Sequence, residues 1–237
     1  MVFLPFPPLR EAVFLERPNR FLLRCRFVDE EKEVVKVHLP DPGRLKEIFL
    51  PGRRIWIAVA DGVNRKTRFR AVLSERPDGK GFLSLDSTLP NQLVEAALKE
   101  KELEEWEGFT LVKREARAGD SRFDFLLHNR EGVPLFLEIK SVTLVRGGIG
   151  FFPDAVTARG AKHVTELAQL AGKGDQAALL FLAQREDVVE IRPEEEIDPR
   201  FAESLRQAKE AGVGIYGRKC KVSLEGVELG DPIPVYL

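Results

Sequence analysis

Apolar and polar residues alternate up to about Leu85, then apolar residues recur at helical spacing from Leu93 onward. This switch of period, at Leu89-Pro90-Asn91, constrains the chain more than any other feature. It divides the chain into two parts, residues 1–86 and 87–237, each expected to build its own core. With 237 residues, 32% charged and 43% hydrophobic, the chain has the length and composition for two small globular cores. The longest strongly apolar run, Ala177–Ala183, is far short of the roughly 20 residues a bilayer span requires. The start, Met1-Val2-Phe3-Leu4-Pro5-Phe6-Pro7-Pro8, lacks a basic segment and is broken by prolines, which argues against a secretory signal. Cys25 and Cys220 are too few for a disulfide scaffold or a cysteine metal cluster, so a cytoplasmic setting is expected.

In the first part, Glu11–Arg17, Phe21–Val28, Glu33–Leu39, Arg54–Ala60, Arg68–Arg76 and Gly81–Leu85 read as strands separated by turn residues. Ile55, Ile57 and Val59 fall on one face of their strand, and residues 43–50 read as a short helix after the third strand. Five or so strands with a helix between the third and fourth is the order of an OB-type barrel, though several kinds of small barrel share it. OB barrels often bind single-stranded nucleic acid through basic, aromatic faces. Charge agrees in sign: up to Pro90 there are 17 Lys and Arg against 12 Asp and Glu, while beyond it the balance reverses to 20 against 26. Arg65-Lys66-Thr67-Arg68-Phe69-Arg70 interleaves cations with a ring, so Arg65, Lys66 and Arg68 are candidate DNA contacts, with Phe69 either stacking or core.

The second part reads α-β-β-β-α-β: a helix over 90–104, strands Thr110–Ala116, Arg122–Leu127 and Pro134–Val142, a helix over 154–171 and a buried strand over 177–184. A charged linker, a helix over 200–211 and two short strands follow, and Gly147-Gly148-Ile149-Gly150 reads as a flexible loop.

The chemistry lies in Asp124 and in Glu138-Ile139-Lys140, fourteen residues further on. Alternation puts Glu138 and Lys140 on one face, and a hairpin brings Asp124 beside Glu138. Two adjacent carboxylates repel unless a cation lies between them, and oxygen ligands of this kind suit Mg²⁺ or Mn²⁺. Such an ion polarises a phosphate, and Lys140 can stabilise charge on the transition state, which is what phosphodiester hydrolysis requires. The competing reading is a cross-strand ion pair on an exposed sheet. Glu95, between Val94 and Ala96, is favoured as a third acidic group over Glu115, whose neighbours Arg114 and Arg117 offer a surface ion pair. Arg159, Lys162 and His163 open a helix, where they either meet a phosphate or are solvated, with Asp154 or Thr157 as the cap. His38 and His128 lack companions for a zinc site.

Several segments give the chain a resemblance to the sugar fermentation stimulation protein A family over essentially its whole length. They are Arg20-Phe21-Leu22, His38-Leu39-Pro40-Asp41-Pro42-Gly43-Arg44, Pro90-Asn91, residues 121–127, residues 138–144 and the long run 152–163. The resemblance implies an N-terminal OB-like domain and a C-terminal domain similar to the PD-(D/E)xK nucleases, with the nuclease-like pattern on Glu95, Asp124, Glu138 and Lys140. It also implies DNA binding without marked sequence preference and a regulatory role in sugar (maltose) metabolism, and it favours phosphate contact at Arg159, Lys162 and His163. Asp41-Pro42 and Leu39 depart from the family's usual His-Cys-Pro-Asn-Thr-Gly, and Phe123 stands where the nucleases carry Pro. The expected function is therefore DNA binding, on single or double strands, with Asp124 and Glu138 holding Mg²⁺ or Mn²⁺. The alternative is a Mg²⁺-dependent nuclease, favoured by the retained acids, since binding alone gains nothing from negative charge facing phosphate. No nucleotide-cofactor motif is present to support a small-molecule enzyme.

Overall fold

The early strands of the first part follow the period-two pattern, while the later ones are buried at consecutive positions. After a short β1 (Phe3–Pro5) come β2 (Arg10–Asn19), β3 (Leu22–Phe27), β4 (Val34–His38), β5 (Arg54–Val59), β6 (Phe69–Glu75) and β7 (Phe82–Ser84). β2, β3 and β4 pair antiparallel in order, β2 also pairs β5, and β5 pairs β6. A parallel contact of Val37 with Phe69 and of His38 with Arg70 joins β4 to β6 and closes a five-stranded OB-type barrel. The computed structural model describes residues 2–30, 33–60 and 66–237. The described residues form two units: Leu4–Leu89 with Lys221–Val227, and Pro90–Cys220 with Glu228–Leu237 and the residues up to Phe3.

Inside the barrel, Phe14, Leu23, Cys25, Phe27, Val37, Ile55, Ile57 and Phe69 form the core. The Phe69 ring meets Phe27 edge-on at 5.3 Å, so the ring of the basic stretch is core and not a stacking surface. Val59 departs from the one-face expectation: the strand ends there, opposite Phe69, and its side chain is exposed. The helix expected over 43–50 is a single turn, with the Ile48 and Phe49 amides both donating to the Leu45 carbonyl. Leu45 sits at φ 47°, a left-handed value that breaks a helix. The Arg17 guanidinium holds the preceding chain by donating to the Gly43 and Arg44 carbonyls. Leu45, Ile48 and Phe49 are thereby buried with the barrel core.

The second unit contains α1 (Leu89–Glu100), β8 (Thr110–Ala118), β9 (Ser121–His128), β10 (Pro134–Val142), β11 (Leu144–Arg146), β12 (Ile149–Phe152) and α2 (Ala158–Gly172). β13 (Gln176–Ala183), β14 (Glu190–Pro193), α3 (Pro199–Glu210), β15 (Gly214–Val222) and β16 (Gly226–Ile233) complete it. The main sheet runs β1-β16-β15-β13-β10-β9-β8, parallel across β10-β13-β15 and antiparallel at β8-β9-β10. Its centre is covered on both faces, because β13 is buried at every position from Ala177 to Ala183. Phe123, Val142, Val164, Leu167, Phe181, Phe201 and Leu205 share one cluster with α2 and α3. Truncating a ring such as Phe123 to Ala costs about 3–5 kcal/mol in a core of this kind.

The glycines at 147 and 148 form a two-residue turn with φ of 57° and 83°, joining β11 to β12. Positive φ at both central residues matches the twist of a hairpin, so this segment is a tight connection and not the flexible loop expected. α2 begins at Ala158 because Thr157 caps it, its hydroxyl accepting the Gly160 amide at 3.0 Å. A Cβ at Gly160 would lie 2.7 Å from the Thr157 methyl, so the cap requires glycine there. Asp198 links the two helix starts, capping α3 through Phe201 and accepting the Thr157 amide at 2.8 Å.

Candidate functional site

β9 and β10 are paired as far as Leu137 opposite Phe125. Immediately beyond, the Asp124 side chain takes over, and its Oδ2 accepts the Ile139 amide at 2.7 Å. Asp124 Oδ1 accepts from Asn91 Nδ2, also at 2.7 Å, which ties the first turn of α1 to β9. Glu138 is buried, and its Oε1 lies 2.6 Å from both Lys140 Nζ and His163 Nδ1. Its other oxygen, Oε2, is buried with no hydrogen-bond partner. Arg159 Nε, which can only donate, lies 3.4 Å from His163 Nε2. Nε2 is thus assigned as the acceptor, and Nδ1–H donates to Glu138.

The electrostatics follow from this geometry. Burial, then the charge on Glu138, push the Asp124 carboxyl up to about 6 against the opposing Ile139 amide, Lys140 and Asn91. Burial acts to raise Glu138 as well, but its bond from His163 and the charge of Lys140 outweigh it and hold Glu138 below the ordinary carboxylate value. The repulsion of the pair is therefore carried mainly by Asp124. The chemistry of the donor set fits a hard divalent ion: two carboxylates from adjacent strands, with one buried oxygen lacking any partner. Mg²⁺ is characteristically held by one or two carboxylates with water and phosphate completing its shell. Among the described residues, no group of three or more His, Cys, Asp and Glu converges on one point.

The remaining candidates are placed as follows. Glu95 lies one helical turn from Asn91 but faces Lys99 and Arg114, at 2.7 and 2.5 Å. The Lys99 hydrogen bond and the Arg114 charge hold it below its ordinary value despite burial. Neither Asp124 nor Glu138 is bonded to it. Glu115 is an exposed ion pair with Arg122 at 3.2 Å. Arg159 and Lys162 are exposed on the first turns of α2, Lys162 within 3.7 Å of Glu166. His163 is turned inward to Glu138 and has both ring nitrogens engaged, so its side chain is not offered to a phosphate. Arg65 lies outside the described residues. Lys66 and Arg68 are exposed just ahead of β6. Asn91 is the residue that sequence reasoning did not place in the site. Its signals are its place in the Pro90-Asn91 segment that carries the family resemblance, at the switch of period, and its spacing of one helical turn from Glu95.

Two family models cover most of the chain. "SfsA N-terminal OB domain" matches residues 15–81, and "Sugar fermentation stimulation protein RE domain" matches residues 88–226. Among relatives named sugar fermentation stimulation protein homolog, one from Moorella thermoacetica is 46% identical over 238 residues, spanning 100% of each chain. One from Shouchella clausii is 46% identical over 230 residues, spanning 97% of this chain and 98% of its own. Of solved structures, Pyrococcus furiosus SfsA in complex with Ca²⁺ superimposes with a TM-score of 0.90 at 31% identity, covering 100% of both chains.

Proposed function

The chain belongs to the sugar fermentation stimulation protein family, and from that premise we propose that it binds DNA with little sequence preference and holds a divalent ion between Asp124 and Glu138. The observation that carries the ion is Glu138 Oε2, a buried carboxylate oxygen with no partner, beside a second carboxyl whose ionisation is opposed. The Ca²⁺ bound to the P. furiosus relative supports the class of ligand. A bound Mg²⁺ or Mn²⁺ would supply Lewis acidity toward a phosphate oxygen. Around it, Asn91 and the Ile139 amide orient Asp124, His163 orients Glu138, and Lys140 brings a cation to the same place. Lys66, Arg68, Arg159 and Lys162 are the exposed cations for backbone phosphates, with Arg65 beside them in sequence. A regulatory role in sugar metabolism is the biological setting the family's name supports.

A second reading, Mg²⁺-dependent phosphodiester hydrolysis, is favoured by one observation: Lys140, largely buried, is held 2.6 Å from Glu138. A cation fixed beside the two acids is placed to stabilise charge developing on a phosphate held there. The test is incubation of labelled single-stranded, duplex and branched DNA with Mg²⁺ or Mn²⁺, comparing wild type with Asp124→Ala. Binding by both proteins without cleavage supports the first reading, and metal-dependent cleavage lost in the variant establishes the second. No binding to any of the three DNAs overturns both.

A further inference from the structure

A recess of about 570 Å³ opens on the barrel between the β2–β3 turn, the end of β4 and the residues ahead of β6. The Phe21 ring on its lining is 48% exposed, whereas Phe14, Phe27 and Phe69 of the same barrel are in the core. The turn that carries Phe21 is fixed from both sides. Asn19 Oδ1 accepts the Phe21 amide at 2.9 Å, and Arg17 donates to the Arg20 carbonyl at 2.9 Å. An exposed ring on a built turn is a preformed apolar platform.

The recess joins that ring to positively charged side chains. Alternation along β4 sends Val35 and Val37 inward and Lys36 and His38 outward, to the same recess as Lys66. Several arginines of the barrel are ion-paired, among them Arg10 with Asp29, Arg24 with Glu16, Arg54 with Glu11 and Arg70 with Asp86. Among the described residues, Lys36 and Lys66 have no ion pair and no carboxylate lines the recess.

We propose that this recess seats single-stranded DNA, with one base stacked on Phe21 and the adjoining phosphates met by Lys36 and Lys66. The proposal rests on the DNA-binding reading above and specifies the form of DNA the barrel takes. Every base presents a π-face, so stacking is tolerant of sequence, and two flexible ammonium groups follow a backbone without reading bases. A duplex keeps its base faces inside its own stack and offers Phe21 nothing to cover.

Fluorescence anisotropy with a labelled oligothymidylate and a labelled duplex tests it on wild type, Phe21→Ala, Phe21→Trp and the pair Lys36→Ala, Lys66→Ala. Phe21→Ala should weaken the single strand on the order of ten-fold and leave the duplex within about two-fold. Phe21→Trp should restore affinity, with its indole emission quenched on binding. The lysine pair should flatten the slope of log affinity against log salt by about 1.4 for the single strand. If wild type binds the oligothymidylate and Phe21→Ala binds it equally well, the seat lies elsewhere and the inference fails while the DNA-binding reading stands. The same holds if only duplex binds, or if Phe21→Ala loses both forms alike. If wild type binds neither DNA, the underlying reading fails.

Discussion

His163, on α2, holds Glu138, on β10, with Nδ1 2.6 Å from Oε1, and thereby fixes the direction in which the partnerless Oε2 points. A buried hydrogen bond to a charged group is worth about 1.5–3 kcal/mol. His163→Ala and Glu138→Ala should each destabilise the protein, and a double-mutant cycle by urea unfolding should return a coupling of that size. Additive single changes would mean the two side chains are neighbours without a bond.

Asp124 sets a pH dependence of opposite sign to that of an ordinary paired carboxylate. Its folded value of about 6 lies above its ordinary 3.8, so its favourable contribution is fully present below pH 3.8 and is lost as pH rises through about 6. In chelator, Asp124→Asn should therefore be more stable than wild type at pH 8, by on the order of 2–3 kcal/mol. The gap should close toward pH 4. Thermal melts of both proteins across that range measure it, and a gap that widens on acidification contradicts the assignment.

Divalent ions should raise the melting temperature. At a free concentration one hundred times the dissociation constant, a ligand of the folded state adds about 2.7 kcal/mol. Mn²⁺ should therefore stabilise wild type and Lys140→Ala but leave Asp124→Ala unmoved in calorimetric titration and melting. A plain cross-strand ion pair would give no metal effect and similar modest losses from either substitution.

Arg159 and Lys162 should contribute to duplex affinity without choosing sequence. Replacing both by Ala should lower affinity equally for unrelated duplexes and flatten the salt slope by about 1.8. Loss confined to one sequence would identify base contacts in place of phosphate contacts.

The barrel was legible because alternation is a local signal: Leu23, Cys25 and Phe27 point inward by the same count that sends Arg24 and Arg26 outward. That Asp124 comes near enough to Glu138 to feel its charge follows from the same alternation, once the hairpin is inferred. Features that depend on long-range partners were not legible. Residues 43–50 have helical spacing, yet the Gly43 and Arg44 carbonyls are taken by Arg17, some 26 residues away. His163 reads as a solvent-facing member of a basic helix start until its burial against Phe123, at 5.8 Å between ring centroids, is known. Phe21 and Phe69 are interchangeable by residue type, and only barrel closure decides which ring is inside.

The segment Lys221–Val227 belongs with Leu4–Leu89, although it is the hairpin end of β15 and β16. The Phe6 amide donates to the Glu225 carbonyl at 2.8 Å, and Val222 and Val227 are buried. Domains made on the ribosome generally finish in order from the N-terminus. Here the last piece of the first unit, residues 221–227, is synthesised only after the strands of the second unit as far as β15. A fragment ending at Leu89 holds every strand of the closed barrel and still leaves the Phe6 amide without its acceptor.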